Sequence, residues 1–212
     1  MLVALVDYDS GNLHSAEKAF QRMAAEVGRI TVTVTSDPDV VARADRIVLP
    51  GDGAFPACRE ALESHDGLFD AISEAVRDGG RPFLGICVGM QMLATRGLEY
   101  EPTPGFDWIS GEVRKIAPAD PALKVPHMGW NELRLEQSHP VLDGIGSGEH
   151  VYFVHSYQLH VTDPADRLAS ADYGGPVTAI VGRDNVIGTQ FHPEKSQETG
   201  LRLIQNFLDW RP

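Results

Sequence analysis

At 212 residues, 42% of them hydrophobic and 23% charged, the chain is long enough to bury one sizeable core and too short for two ordinary domains, so a single domain over residues 1–212 is expected. A net charge of −12 disfavours nucleic acid and anionic membranes as partners, because neutralising phosphates needs lysine and arginine in excess. Two cysteines, Cys58 and Cys87, stand in different contexts without CxxC spacing, which argues against a disulfide framework or a zinc site and leaves a thiol free for chemistry.

The chain opens on an apolar run, Leu2 to Val6, that meets Asp7 at once and carries neither a basic leader nor a small-residue cleavage pattern. No run approaches the roughly 20 apolar residues that span a bilayer, and a cytoplasmic protein is expected. Short runs rich in Val, Ile and Leu recur at Ile30 to Val34, Arg46 to Leu49 and Pro82 to Ile86. Between them, Leu13 to Val27, Cys58 to Val76 and Val88 to Ala94 carry helical spacing, and this alternation predicts βαβ units on a parallel sheet. Pro102 to Pro104 reads as a surface loop. From Gly111 to Gln190 the chain turns strand-like and is broken at Asp143-Gly144, Tyr173-Gly174-Gly175 and Arg183-Asp184-Asn185, which predicts antiparallel hairpins. A last amphipathic helix, about Gln197 to Trp210, sets Leu201, Leu203, Ile204, Phe207 and Leu208 on one side. The expected fold class is α/β, one domain with an open, mostly parallel mixed sheet flanked by helices and with antiparallel strands in the C-terminal half.

Three segments carry candidate chemistry. Gly85-Ile86-Cys87-Val88-Gly89 follows an apolar strand and opens a helical stretch, the strand, elbow and helix arrangement that lifts a nucleophile off a sheet. The amides of the following helix favour the thiolate, the reactive form of cysteine. The same pattern also fits a buried core thiol between strand-ending glycines. Gln190-Phe191-His192-Pro193-Glu194-Lys195-Ser196 offers a base. Pro193 biases His192 to an extended conformation, in which residues two apart face one side, so Glu194 can orient the His192 ring as in a serine triad. Alone, His-Pro-Glu fits an ordinary turn before a helix; beside a cysteine elbow it reads as base and orienter. Leu49-Pro50-Gly51-Asp52-Gly53-Ala54 has glycines free to aim amides at an oxyanion, or to make a plain turn, and matches neither the P-loop nor the GxGxxG phosphate pattern.

In this order the three segments resemble the class I glutamine amidotransferases, whose Cys-His-Glu triad hydrolyses the side-chain amide of glutamine. Lys124 to Asn131, Tyr152 to Tyr157 and Val6 to Leu13 are similar to the branch of that family that supplies the glutaminase subunits of imidazole glycerol phosphate synthase. The resemblance implies Cys87 as nucleophile, His192 as proton shuttle and Glu194 as its orienter. It implies an oxyanion site at the amides of Val88 and, once the strand around it adopts its active conformation, of Asp52 beside Gly53. It further implies a glutamine pocket of Gly51, Gln91, His155, Ser156 and Tyr157. Asn12, Met128, Trp130 and Lys195 would form a docking face for the cyclase subunit, a (β/α)8 barrel that receives the ammonia. For His127 and Trp130 the plain alternatives are a core histidine and a core aromatic. No cofactor or metal is expected.

One position departs from the family: Asp52 stands where an apolar residue is usual, and its carboxylate is expected to point away from Cys87. Cys58 lacks a glycine elbow and is expected to serve packing. Two further readings stay open at this point, the glutaminase of another synthase or a free γ-glutamyl hydrolase, and a non-catalytic regulatory subunit on the same scaffold.

Overall fold

The computed structural model describes residues 1–212. Its first half runs β1 (Leu2–Val6), α1 (Leu13–Val27), β2 (Thr31–Thr35), α2 (Pro38–Arg43), β3 (Arg46–Gly51), α3 (Phe55–Ser64), α4 (Leu68–Arg77), β4 (Phe83–Cys87) and α5 (Val88–Gln91). The second half is strand-rich: β5 (Ala94–Gly97), β6 (Thr103–Pro104), β7 (Ile109–Lys115), β8 (His127–Glu132), β9 (Arg134–Leu135), β10 (His150–His155), β11 (Tyr157–Val161), β12 (Arg167–Asp172), β13 (Pro176–Arg183) and β14 (Val186–Thr189), closed by α6 (Gln197–Asp209).

The main sheet has eight strands in the order β2-β1-β3-β4-β14-β13-β12-β9. From β2 to β14 all neighbours are parallel, and from β14 to β9 all are antiparallel. The central strands β3 and β4 are buried at every residue, as expected of parallel strands covered on both faces. Helix α1 buries Ala16, Ala19, Phe20, Met23 and Ala24, a stripe at three- and four-residue spacing, and is capped by the Asn12 side chain, which accepts from the amide of Ser15. Two small sheets stand beside the main one, β10-β8 and β11-β7-β5-β6. No helix is long and apolar enough to cross a membrane.

Several element boundaries differ from expectation, each for a local reason. The stretch from Cys58 to Val76 is two helices, because Gly67 takes a left-handed conformation (φ 75°) between α3 and α4. The helix after Cys87 ends at Gln91, and Ala94 already begins β5, since the chain must reach the third sheet. Thr103–Pro104 pairs with β5 instead of looping free. The turns at 173–175 and 183–185 do join hairpins, β12-β13 and β13-β14, whereas Asp143-Gly144 follows a short 3-10 turn and joins none.

Candidate active site

The carboxyl ends of β3, β4 and β14 lie side by side in the parallel half of the sheet, the edge where α/β proteins of open-sheet type hold their ligands. Cys87 is the last residue of β4, Gly51 the last of β3, and Gln190 to Glu194 follow β14. Three distant segments of sequence thus converge through strand order alone.

Cys87 adopts φ 55° and ψ −110°, a conformation that costs a non-glycine residue roughly 1–3 kcal/mol. The strain of the elbow is carried by the cysteine itself. Its flanking glycines serve a different need, close packing: a Cβ on Gly89 would lie 1.8 Å from the carbonyl oxygen of Leu49, and one on Gly85 would lie 2.4 Å from that of Gly89. A Cβ on Gly51 would come within 2.7 Å of the Tyr8 hydroxyl and 2.9 Å of the Val88 side chain. Bare backbone at these three positions seats the elbow on β3.

His192 and Glu194 form a buried pair, Nδ1 to Oε1 at 2.8 Å, with side chains only 5% and 2% exposed. Burial pushes the imidazole towards its neutral form, but a negatively charged Cys87 sulfur and the Glu194 carboxylate together outweigh it and raise the His192 pKa to about 10. Nε2 of His192 and Oε2 of Glu194 have no hydrogen-bond partner. A base with one nitrogen tied to a carboxylate and the other unengaged, next to a thiol, is the arrangement that proton transfer from sulfur requires. The pair is held from behind by backbone: the amide of His192 donates to Tyr152 and the hydroxyl of Ser196 donates to the His192 carbonyl at 2.6 Å.

In front of Cys87 opens a cleft of about 250 Å³, lined in part by Asp52, Gly53, Val88, Gln91, His155, Ser156 and Tyr157. Of the anticipated pocket and oxyanion residues, Gly51 alone is absent from the lining and lies beneath it. Gln91 is buried, and its Nε2 donates to the Tyr157 carbonyl and to Oε1 of Gln190, each at 3.1 Å; Gln190 in turn donates to the Cys87 sulfur at 3.7 Å. His155 donates from Nδ1 to the Tyr157 carbonyl at 2.8 Å. Glu99 and Pro126 complete the rim, and Glu99 accepts from the amide of Phe55 at 2.8 Å.

The peptide of Asp52 faces away from the sulfur. Its amide donates to the Ser10 hydroxyl at 3.2 Å, and its carbonyl accepts from that hydroxyl at 2.8 Å and from the Cys58 thiol at 3.4 Å. Asp52 itself is exposed, and its carboxylate makes no hydrogen bond. Cys58 is buried and burial raises its pKa, but it does more than pack, because it fastens this loop together with Ser10.

Sequence reasoning singled out most of these positions but gave no role to Gln190, which stands against the Cys87 sulfur, or to Glu99 on the rim of the cleft. The signal for Gln190 was present. It lies two residues before His192 in an extended run, so the rule that pairs His192 with Glu194 also turns Gln190 to the same side. Glu99 sits in the connection between β5 and β6, where no periodicity marks it.

The anticipated docking residues come from three parts of the chain. Met128 (62% exposed) and Trp130 (47% exposed) project from β8, which pairs with β10, placing Trp130 opposite Tyr152. The turn at Pro193–Lys195 packs on β10 and on α1, bringing Lys195 and Asn12 towards the same side.

The glutamine amidotransferase class-I family model matches residues 4–210. The imidazole glycerol phosphate synthase subunit HisH of Cereibacter sphaeroides is 70% identical over 212 residues, and that of Ruegeria pomeroyi is 67% identical, each alignment covering 100% of both chains. Among solved structures, one described as a glutamine amidotransferase superposes with a TM-score of 0.73 over 97% of each chain at 19% identity, a likeness of fold.

Proposed function

The chain belongs to the class-I glutamine amidotransferase family, and on that footing we propose that it is the glutaminase subunit of an imidazole glycerol phosphate synthase, releasing ammonia from glutamine for a cyclase partner. The observation that carries the reading is the strained Cys87 at the end of β4 beside the buried His192–Glu194 pair, opening on a small polar cleft. At about 250 Å³ the cleft lies at the low end of ligand sites, a size that suits an amino acid better than a nucleotide.

In the proposed reaction the Cys87 sulfur attacks the side-chain amide carbon of glutamine, and the proton it gives up resides on His192, whose charge Glu194 stabilises. Collapse of the tetrahedral intermediate transfers that proton to the departing ammonia and leaves a thioester. His192 then takes a proton from water, which attacks the thioester and frees glutamate. The amide of Val88 would hold the oxyanion, joined by that of Asp52 if its peptide leaves Ser10 and turns inward. Gln91, His155, Ser156 and Tyr157 would shape the pocket, and Glu99, a carboxylate on its rim, would pair with the α-ammonium of the substrate. Met128 and Trp130, with Asn12 and Lys195, would dock the cyclase, a (β/α)8 barrel; exposed aromatic and methionine side chains are common anchors of such interfaces. All of this is assigned to one domain acting in the cytoplasm.

Glutamate release by the purified chain, alone and with a cyclase subunit carrying its ribonucleotide ligand, tests the reading, with Cys87→Ala as control. Low release alone, a large rise in the liganded complex and none in the variant are expected. Release indifferent to the partner would favour a free hydrolase, and none under any condition a regulatory subunit.

A further inference from the structure

Behind the cleft lies a chain of polar groups that reaches it at His155 and whose other members, His127 and Asn131, take no part in the reaction as derived above. His127 and His155 are directly opposite on the paired strands β8 and β10, and both are buried. Nδ1 of His127 stands 2.9 Å from Nε2 of His155, while Nε2 of His127 stands 3.2 Å from the side-chain nitrogen of Asn131. His127 is sandwiched between Phe153 and Tyr173, ring centroids 4.6 and 4.1 Å away.

The direction of every bond in this chain is determined by its two ends. At one end the Asn131 amide is oriented by the backbone: its oxygen accepts from the Glu132 amide at 2.8 Å, and its nitrogen donates to the Asp172 carbonyl at 2.8 Å. Its second N–H therefore points at Nε2 of His127, which accepts. At the other end, the Tyr157 carbonyl can only accept, so Nδ1 of His155 donates. Nε2 of a neutral His155 then accepts, and Nδ1 of His127 donates to it. No carboxylate faces either ring, and burial lowers both pKa values to about 4, so the two rings are neutral in the physiological range. The Tyr157 carbonyl on which the chain ends also receives Gln91, whose other bond runs through Gln190 to the Cys87 sulfur.

Strand alternation gives this chain a second attachment. On β8 the inward His127 and Asn131 flank the outward Met128 and Trp130. We propose that His127 and Asn131 are positioning residues for the glutaminase reaction: acting through His155, they fix the Tyr157 carbonyl and Gln91, and so tie the exposed strand β8 to the geometry of the substrate cleft. The inference rests on the glutaminase reading for its activity readout but not for its structural one.

The test uses the complex with the cyclase and its ribonucleotide ligand. His127→Phe keeps the ring stack and removes the donor to His155; His127→Asn keeps an amide N–H near the place of Nδ1. With His127→Phe the KM for glutamine rises about tenfold, the consequence of one unsatisfied buried acceptor, while kcat changes less than threefold. His127→Asn restores KM to within about threefold of the original. In parallel, ¹⁵N imidazole spectra of the chain read the unprotonated Nε2 of His155: hydrogen-bonded in the wild type, it moves towards the shift of a free imine nitrogen in His127→Phe, while the Tyr157 carbonyl keeps the proton on Nδ1. Asn131→Ala, at a half-buried edge position, gives a second route should His127→Phe fail to fold, with a KM rise of about threefold and a shift of the unprotonated Nε2 of His127 towards the free imine value. An unchanged KM in either folded variant, or an unchanged Nε2 shift of the ring that loses its donor, overturns the proposal. A wild-type complex that releases no glutamate overturns the glutaminase reading instead, and the spectra still decide the relay.

Discussion

Replacing Glu194 by glutamine isolates the one charge that the active site adds to its base. Glutamine keeps the shape and can still accept the 2.8 Å bond from Nδ1 of His192, so the imidazole loses its charged partner without losing its orientation. Both side chains are almost fully enclosed, so water cannot replace the missing charge. Two unit charges about 4 Å apart at an effective dielectric near 20 attract by about 4 kcal/mol, an upper bound for what is lost. Exchanging a charge-assisted for a neutral hydrogen bond costs at least about 1 kcal/mol. The middle of that range corresponds to a fall in kcat of about a hundredfold. KM should stay within threefold, since Glu194 does not line the cleft. The assay is glutamate release in the liganded cyclase complex, with Cys87→Ala as the zero. A kcat within threefold of wild type would refute the assignment of Glu194 as the group that holds the charged imidazole.

Stability should peak near pH 6.5 and decline on both sides. Below it, unfolded His127 and His155 take up protons at their ordinary pKa while the folded rings resist until about pH 4, so stability falls as pH drops through that window. The loss is about 3 kcal/mol at each ring, since both folded values lie at about 4. Above pH 6.5 the sign reverses at His192, whose folded pKa near 10 gives a contribution that is complete below 6.5 and fades as pH rises towards 10. Urea unfolding at pH 7 and pH 4.5 measures the acid limb, and equal free energies at the two would contradict the burial of two neutral rings. Gly89→Ala should cost more than about 3 kcal/mol or prevent folding, because the new methyl meets the Leu49 carbonyl at 1.8 Å and neither backbone can yield without parting β3 from the elbow. A urea midpoint within about 1 kcal/mol of the parent would show that the elbow has room to move.

The parts of this fold legible in the sequence are those where a single constraint governs several consecutive residues. Val3 to Val6, Arg46 to Leu49 and Phe83 to Ile86 are buried on both faces, so an unbroken apolar run reports them directly. The elbow and His192-Pro193-Glu194 are legible because nucleophile and base each need a local backbone shape, and glycine and proline betray it. Where two constraints interleave, the pattern cancels. On β8 the inward His127 and Asn131 answer to the polar chain behind the cleft, while Met128 and Trp130 answer to the surface. Read along the chain, His-Met-Gly-Trp-Asn alternates polar and apolar in the opposite sense to a core strand, with its apolar members outside. Hydrophobic periodicity assigns such a strand the wrong inner face, and only the family resemblance placed its tryptophan at a surface. The inversion has a physical source: a strand that presents apolar groups outward and satisfied polar groups inward is stable only if its inner groups hydrogen-bond one another completely, as His127, His155 and Asn131 do here. An exposed Trp130 and a buried His127 are therefore two sides of one local solution. Change at either position should be felt at the other before it is felt anywhere else in the chain.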